Sequence, residues 1–200
     1  MLYAFGFERV GVLVSDLYFV DPEPSPGQQG AEHGVRLELR ILERGALKGS
    51  IYSAQPIEVG QPLWRVDFLE SVTGRPGSFD RTHHHPVFSG WEPNRRVFVR
   101  ELSADPLGWL GGMLADLAGL VAAAGFPADV VGPDDAASLR AVAPEIVDAT
   151  GRLLEQVRAG QLGRPPRDEV LAGANASAHA SAGPAGSVAA EPVSIRAGWL

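Results

Sequence analysis

The chain has 200 residues, 45% of them hydrophobic, with 24 glycines, 16 prolines and no cysteine. That length suits one domain with appendages, and the lack of cysteine excludes disulfides, thiol nucleophiles and cysteine-ligated zinc. A net charge of −7, from 17 basic and 24 acidic residues, offers no general basic face and argues against nucleic-acid binding.

The first 20 residues are apolar but interrupted by Glu8, Arg9 and Asp16. They lack the basic start, unbroken apolar run and small-residue cleavage site of a secretion signal, so a cytoplasmic protein is expected. Residues 8–20 read as one long strand whose alternation slips at Ser15–Asp16, which predicts a bulge or turn there. Residues 21–34 are a Pro- and Gly-rich loop. Residues 35–42 alternate, with Val35, Leu37, Leu39 and Ile41 on one face and Arg36, Glu38 and Arg40 on the other. SIYSAQ, 50–55, reads as a short strand after a turn. In 63–70, Trp64, Val66 and Phe68 share one face, while Arg65 and Asp67 share the other. Asp67 and Glu70 fall on opposite faces, so no carboxylate pair is expected. A long loop, 71–94, leads to a last strand at 96–102. No helix-length segment separates the strands. The expectation for 1–103 is therefore an antiparallel β-barrel or β-sandwich of five to seven strands.

A helical extension is expected over 104–163, making the fold class α+β. Asp105 as N-cap and Pro106 at the first helical position open it. Leu107, Leu110, Leu114, Leu117 and Val121 form an apolar stripe that Gly125 and Pro127 end. Residues 107–126 have the length of a membrane span, but Asp116 at the centre and many small residues favour a core helix. No membrane association is expected. Asp134 and Asp135 start another helical pattern. Pro144 is expected to split it into 134–142 and 145–159. Residues 164–200 read as a flexible, low-complexity Ala/Gly/Ser tail. Its apolar end, 192–200, has the form of a peptide that docks on a protein partner, which would make the chain an adaptor.

One stretch concentrates chemistry: GSFDRTHHHPVFSGWEP, residues 77–93. In an extended segment His83 and His85 share a face and His84 points away. Two imidazoles on one face are half a metal site, and a carboxylate such as Glu92 or Asp80, or His33 from the other loop, would complete it. Such a set suits a divalent ion, zinc, iron or manganese. Gly77, five residues, then His83–x–His85 resembles the opening of the first cupin motif. That resemblance implies a metal-dependent enzyme in a small β-barrel, with His83 and His85 as ligands. The family's glutamate falls three or four residues after the second histidine; here six residues separate His85 from Glu92, and no second motif follows. A second reading needs no metal. The window from Arg75 to Arg100 holds five arginines against Asp80 and Glu92. Arg81, His84, Trp91, Arg95 and Arg96, with the other histidines, would then cradle a small anionic ligand. A third reading is a structural loop in which Asp80 pairs with Arg81 and Trp91 plugs the end of the β unit. No nucleophile elbow, phosphate-binding loop, dinucleotide fingerprint or HExxH occurs.

Overall fold

A computed structural model describes residues 1–165. The expected tail beyond Pro165 and its terminal peptide 192–200 lie outside the described residues. Five antiparallel strands form a meander in linear order: β1 (Leu2–Gly6), β2 (Val10–Val20), β3 (Ala31–Arg44), β4 (Ile57–Ser71) and β5 (His83–His85). A two-stranded ribbon follows, β6 (Phe88–Ser89) with β7 (Glu92–Pro93). Four helices complete the unit: α1 (Arg100–Ala104), α2 (Pro106–Ala115), α3 (Leu117–Ala123) and α4 (Asp135–Arg158).

Period two makes the sheet two-faced. Val10, Val12, Val14, Val35, Leu37, Leu39, Trp64, Val66 and Phe68 are all at most 1% exposed and share one core cluster. The helices supply the other half of that core, with Leu102, Leu110, Leu114, Leu117, Leu139, Ile146 and Leu153. Each such side chain contributes roughly 1.5–3 kcal/mol by leaving water. The opposite face carries Arg36, Glu38, Arg65 and Asp67, and this polar face bears the site. β1 and β5 are the sheet's two edges. No pairing among the described residues joins them into a closed barrel, and the layer that covers the apolar face is helical.

Several local expectations differ from the structure for identifiable reasons. β1 was not expected as a strand; Tyr3 and Phe5 turn toward the core and pair beside Val14 and Val12. No bulge occurs at Ser15–Asp16: β2 pairs with β3 without a break from Val10 to Val20. Residues 50–55 form turns rather than a strand, with Ile51 and Tyr52 exposed and no neighbouring strand to pair with. In 96–102, only Val97 pairs, bridging to His84, before α1 starts and carries Leu102 into the core.

The apolar stretch expected as one helix is two, bent by 89°. Asp105 caps α2 by accepting from the Gly108 N–H, and Asp116 caps α3 by accepting from the Gly119 N–H. The repeated Asp-x-x-Gly spacing is the cause: a Cβ at either glycine would stand 2.0 or 2.1 Å from the capping carboxylate. No single helix among the described residues is long and apolar enough to cross a membrane. Conversely, α4 runs unbroken through Pro144. An interior proline costs about 3 kcal/mol, and burial of Leu139, Ala143, Ile146, Ala149 and Leu153 along the same helix offsets it.

Asp135 joins the start of α4 to the β1–β2 turn. Its buried carboxylate accepts from the backbone N–H groups of Glu8, Arg9 and Gly132, the shortest at 2.6 Å. Asp135→Ala strands three donors, and the expected loss is about 3 kcal/mol of unfolding free energy. Urea unfolding followed by circular dichroism checks this: the midpoint falls while the slope is unchanged. Asp135→Asn, which keeps one carbonyl acceptor, is expected to lose less.

Candidate metal centre

Strand register builds the site. Arg36 on β3 stands beside Asp67 on β4, and Asp67 beside His83 on β5. One pleat along, Glu38 stands beside Arg65, and Arg65 beside His85. Two rows of three side chains thus lie across the polar face, with opposite charges adjacent along and across the strands. His83 and His85 face this side, while His84 faces the helices, as an extended segment requires.

Asp67 is the centre. Arg36 donates to it through Nε at 2.8 Å and Nη2 at 3.1 Å, a two-pronged pair. Arg65 Nε lies 3.3 Å from Oδ2. Burial by itself would raise the Asp67 carboxyl, but Arg36, by charge and hydrogen bonds, and then Arg65 hold it below the ordinary carboxylate range. Asp67 is therefore ionised at neutral pH.

The histidines approach the same oxygen. His83 Nε2 is 3.5 Å from Asp67 Oδ2, and His85 Nε2 is 3.8 Å from it. The far ring nitrogens are committed elsewhere. His83 Nδ1 meets the Arg81 carbonyl at 2.7 Å, and His85 Nδ1 meets the Asn94 carbonyl at 2.6 Å. A carbonyl only accepts, so each Nδ1 carries a proton and donates it. Burial, opposed by Asp67, lowers the His83 pKa to about 4; burial and then Arg65 lower that of His85 to about 4. Both rings are thus neutral at pH 7, and each Nε2 presents a lone pair to a carboxylate. His85 Nε2 is buried with no hydrogen-bond partner.

Three acceptor atoms with no proton among them therefore converge, all within 4.8 Å of one another. Acceptors crowd this way where a cation joins them. Bond lengths of about 2.0–2.1 Å put neighbouring ligand atoms of a tetrahedral zinc roughly 3.3–3.4 Å apart. The separations from Asp67 Oδ2 to the two rings are close to that. Each ring's Nδ1–H to carbonyl bond is also the arrangement that fixes a metal-ligating tautomer.

A pocket of about 410 Å³ opens over the group, lined by Phe19, Asp21, Arg36, Arg65, Arg95 and Arg96 among others. Of the residues singled out from the sequence, His83, His85, Arg95 and Arg96 come together here. Arg96 is held by Glu32 at 2.9 Å and Asp21 at 3.4 Å. The others stand elsewhere. Glu92 is exposed on β7 and is outside the converging group, whose carboxylate is Asp67. His84 packs under α2, accepting from Trp64 Nε1 at 3.3 Å and lying edge-on to Trp109. Arg81 binds the carbonyls of Gly27 and Gln29 and so ties down the β2–β3 loop, 21–30, shorter than the expected 21–34 because β3 begins at Ala31. Trp91 is 61% exposed beneath the Arg40 guanidinium rather than in the pocket. His33 lies beside Tyr18 and Glu70 in the sheet, on the helix-side face. Sequence reasoning missed Asp67, Arg36 and Arg65. Alternation sorts them onto the polar faces of their strands, but only the pairing of β3, β4 and β5 makes them neighbours.

Comparison with protein-family models, curated proteins and solved structures finds no match. The likeness to the cupin motif stays confined to Gly77–His85.

The protonation state is directly measurable. Unfolded histidines take up protons near pH 6.5, whereas these two rings do so near pH 4. The unfolded chain thus binds more protons as pH falls from 6.5 to 4, and the native state is destabilised across that window. The loss reaches about 3 kcal/mol per ring at pH 4. In metal-free protein, proton NMR titration should show neither ring titrating between pH 5.5 and 8. An apparent pKa above 6 for either would contradict the neutral pair.

Proposed function

We propose that Asp67, His83 and His85 hold one divalent transition-metal ion and that the protein acts on a small molecule through that ion's open coordination positions. The observation that carries the reading is the convergence of three proton-free acceptors, one of them a buried nitrogen with no other partner. Two imidazoles and one carboxylate oxygen suit zinc, iron(II) or manganese. Three ligands from one side of a sheet leave the remaining positions facing the pocket. An ion there would polarise a ligand oxygen or bring the pKa of a bound water toward neutrality. The chain's own residues do the positioning. The Arg81 and Asn94 carbonyls orient the rings, and Arg36 fixes the carboxylate plane. A metal-dependent enzyme is the fullest form of this reading.

A metal-free cradle for a small anionic ligand is the second reading. Arg65 favours it: its Nε is buried without a hydrogen-bonding acceptor and lines the pocket.

The deciding experiment is the metal content of protein purified without nickel resin, followed by cobalt(II) titration of the metal-free chain. One equivalent is expected, with visible absorption typical of nitrogen and oxygen ligation. His85→Ala should weaken binding by more than the roughly 10–100-fold that losing an outer-shell partner costs. Its metal-free melting temperature should fall somewhat, since the buried ring also donates from Nδ1 to the Asn94 carbonyl, so the affinity is read at a temperature where circular dichroism shows the variant folded. A parent that carries no metal and takes up none would overturn the metal reading and leave the cradle.

A further inference from the structure

The charges around the metal-binding group are of the wrong sign for a cation alone. The pocket lining holds Arg36, Arg65, Arg95 and Arg96 against Asp21 and Asp67. Glu32 stands behind Arg96 and pairs with it at 2.9 Å. Glu38 stands 4.0 Å from Arg65 and pairs more closely with Arg40, at 2.7 Å; counting both of these and Glu32 as charged, five arginines still face four carboxylates, and the two histidines are neutral. A divalent ion on Asp67 would add two more positive charges. It would also sit close to a guanidinium, because Arg65 Nε is 3.3 Å from the oxygen that ligates. With bonds of about 2 Å to that oxygen, the ion and Arg65 Nε stand at most about 5 Å apart. Like charges at that distance in a partly buried site repel strongly.

A bridging anion removes the conflict. Its oxygens would fill the ion's open positions and accept from the guanidinium donors that lack an acceptor. Arg65 Nε is such a donor: it is buried without a hydrogen-bonding acceptor, although it lies 3.3 Å from Asp67 Oδ2. Arg95 is a second: exposed at the pocket's rim, it forms no ion pair among the described residues. The volume of about 410 Å³ is at the small end of small-molecule sites.

We propose that this pocket takes its metal ion and a small dianion together, a dicarboxylate or a phosphate, each raising the other's affinity at least about tenfold. The inference rests on the metal reading and names the ligand class of the same site.

The test is calorimetric titration of the full-length, metal-free protein with cobalt(II) in three conditions: no added anion, malonate, or inorganic phosphate. Each anion is also titrated with and without cobalt(II). Both anions bind some free cobalt in solution, which lowers its apparent affinity, so a rise cannot come from that source. Tighter cobalt binding with malonate alone assigns a carboxylate ligand, and with phosphate alone a phosphate. In either case the same factor must appear in the reverse titration. Arg95→Gln, at an exposed position, should reduce the coupling while leaving cobalt binding without anion equal or slightly tighter. A merely structural arginine would not produce that split. Cobalt affinity that is the same with and without either anion overturns this inference and leaves the metal site standing. No cobalt binding in any condition overturns both.

Discussion

The site depends on one buried carboxylate staying ionised. Asp67 is in the middle of the sheet, 1% exposed, where an unpaired charge would be prohibitive. It persists because β3 delivers Arg36 in register beside it and because Arg65 follows two residues earlier on its own strand. Breaking such a pair by removing one partner leaves an uncompensated charge in the interior, at a cost of about 3–5 kcal/mol. The ionised carboxylate then gives the two rings on β5 something to converge on. Without it, His83 and His85 would be two neutral imidazoles on a sheet edge.

The other face of the sheet supplies the rigidity. β5 has only three residues, too few to hold a geometry unaided. It is pinned on both edges and beneath. β4 pairs with all three histidines, and Val97 pairs with His84 through two backbone hydrogen bonds of 3.0 Å. The His84 ring is wedged between Trp64 and Trp109 on the helix side. The middle histidine of the triplet therefore anchors the strand so that its neighbours keep their positions on the polar face. The 71–82 connection is tied down as well. Buried Glu70 accepts from the Gly77 N–H and from Arg158 of α4, and Thr82 exchanges hydrogen bonds with Leu69.

Local pattern was legible in the sequence; pairing was not. Alternation places His83 and His85 on one face, Trp64 and Phe68 on another, and Arg65 with Asp67 opposite them, because period two is a property of each strand alone. Nothing local states that Asp67 stands beside His83 rather than one residue off, and a one-residue slip would put Val66 there instead. Glu92 was the expected third ligand because it is near in sequence, whereas the carboxylate that converges with the two rings, Asp67, comes from 16 positions upstream of His83 across a strand pair. The helix break at Asp116 was readable in retrospect, since Asp-x-x-Gly repeats the capped start at Asp105. The continuity of α4 through Pro144 was not, because it depends on burial against a sheet whose position the sequence does not give.

Arg36 also bears on which ion the site would select. It accounts for Oδ1 of Asp67 and part of Oδ2, so the carboxylate has one oxygen to share and less negative charge on it. A hard cation such as calcium or magnesium needs several full-strength oxygen ligands and would find one weakened donor. Two imidazole nitrogens change that balance in favour of ions that accept nitrogen donors well. Within the series from manganese to zinc, affinity for such sites rises toward the later metals. In the proposed metal site, the same arginine that keeps Asp67 charged would thus tilt selection away from abundant alkaline-earth ions and toward a transition metal, which two neutral, tautomer-fixed imidazoles are disposed to bind.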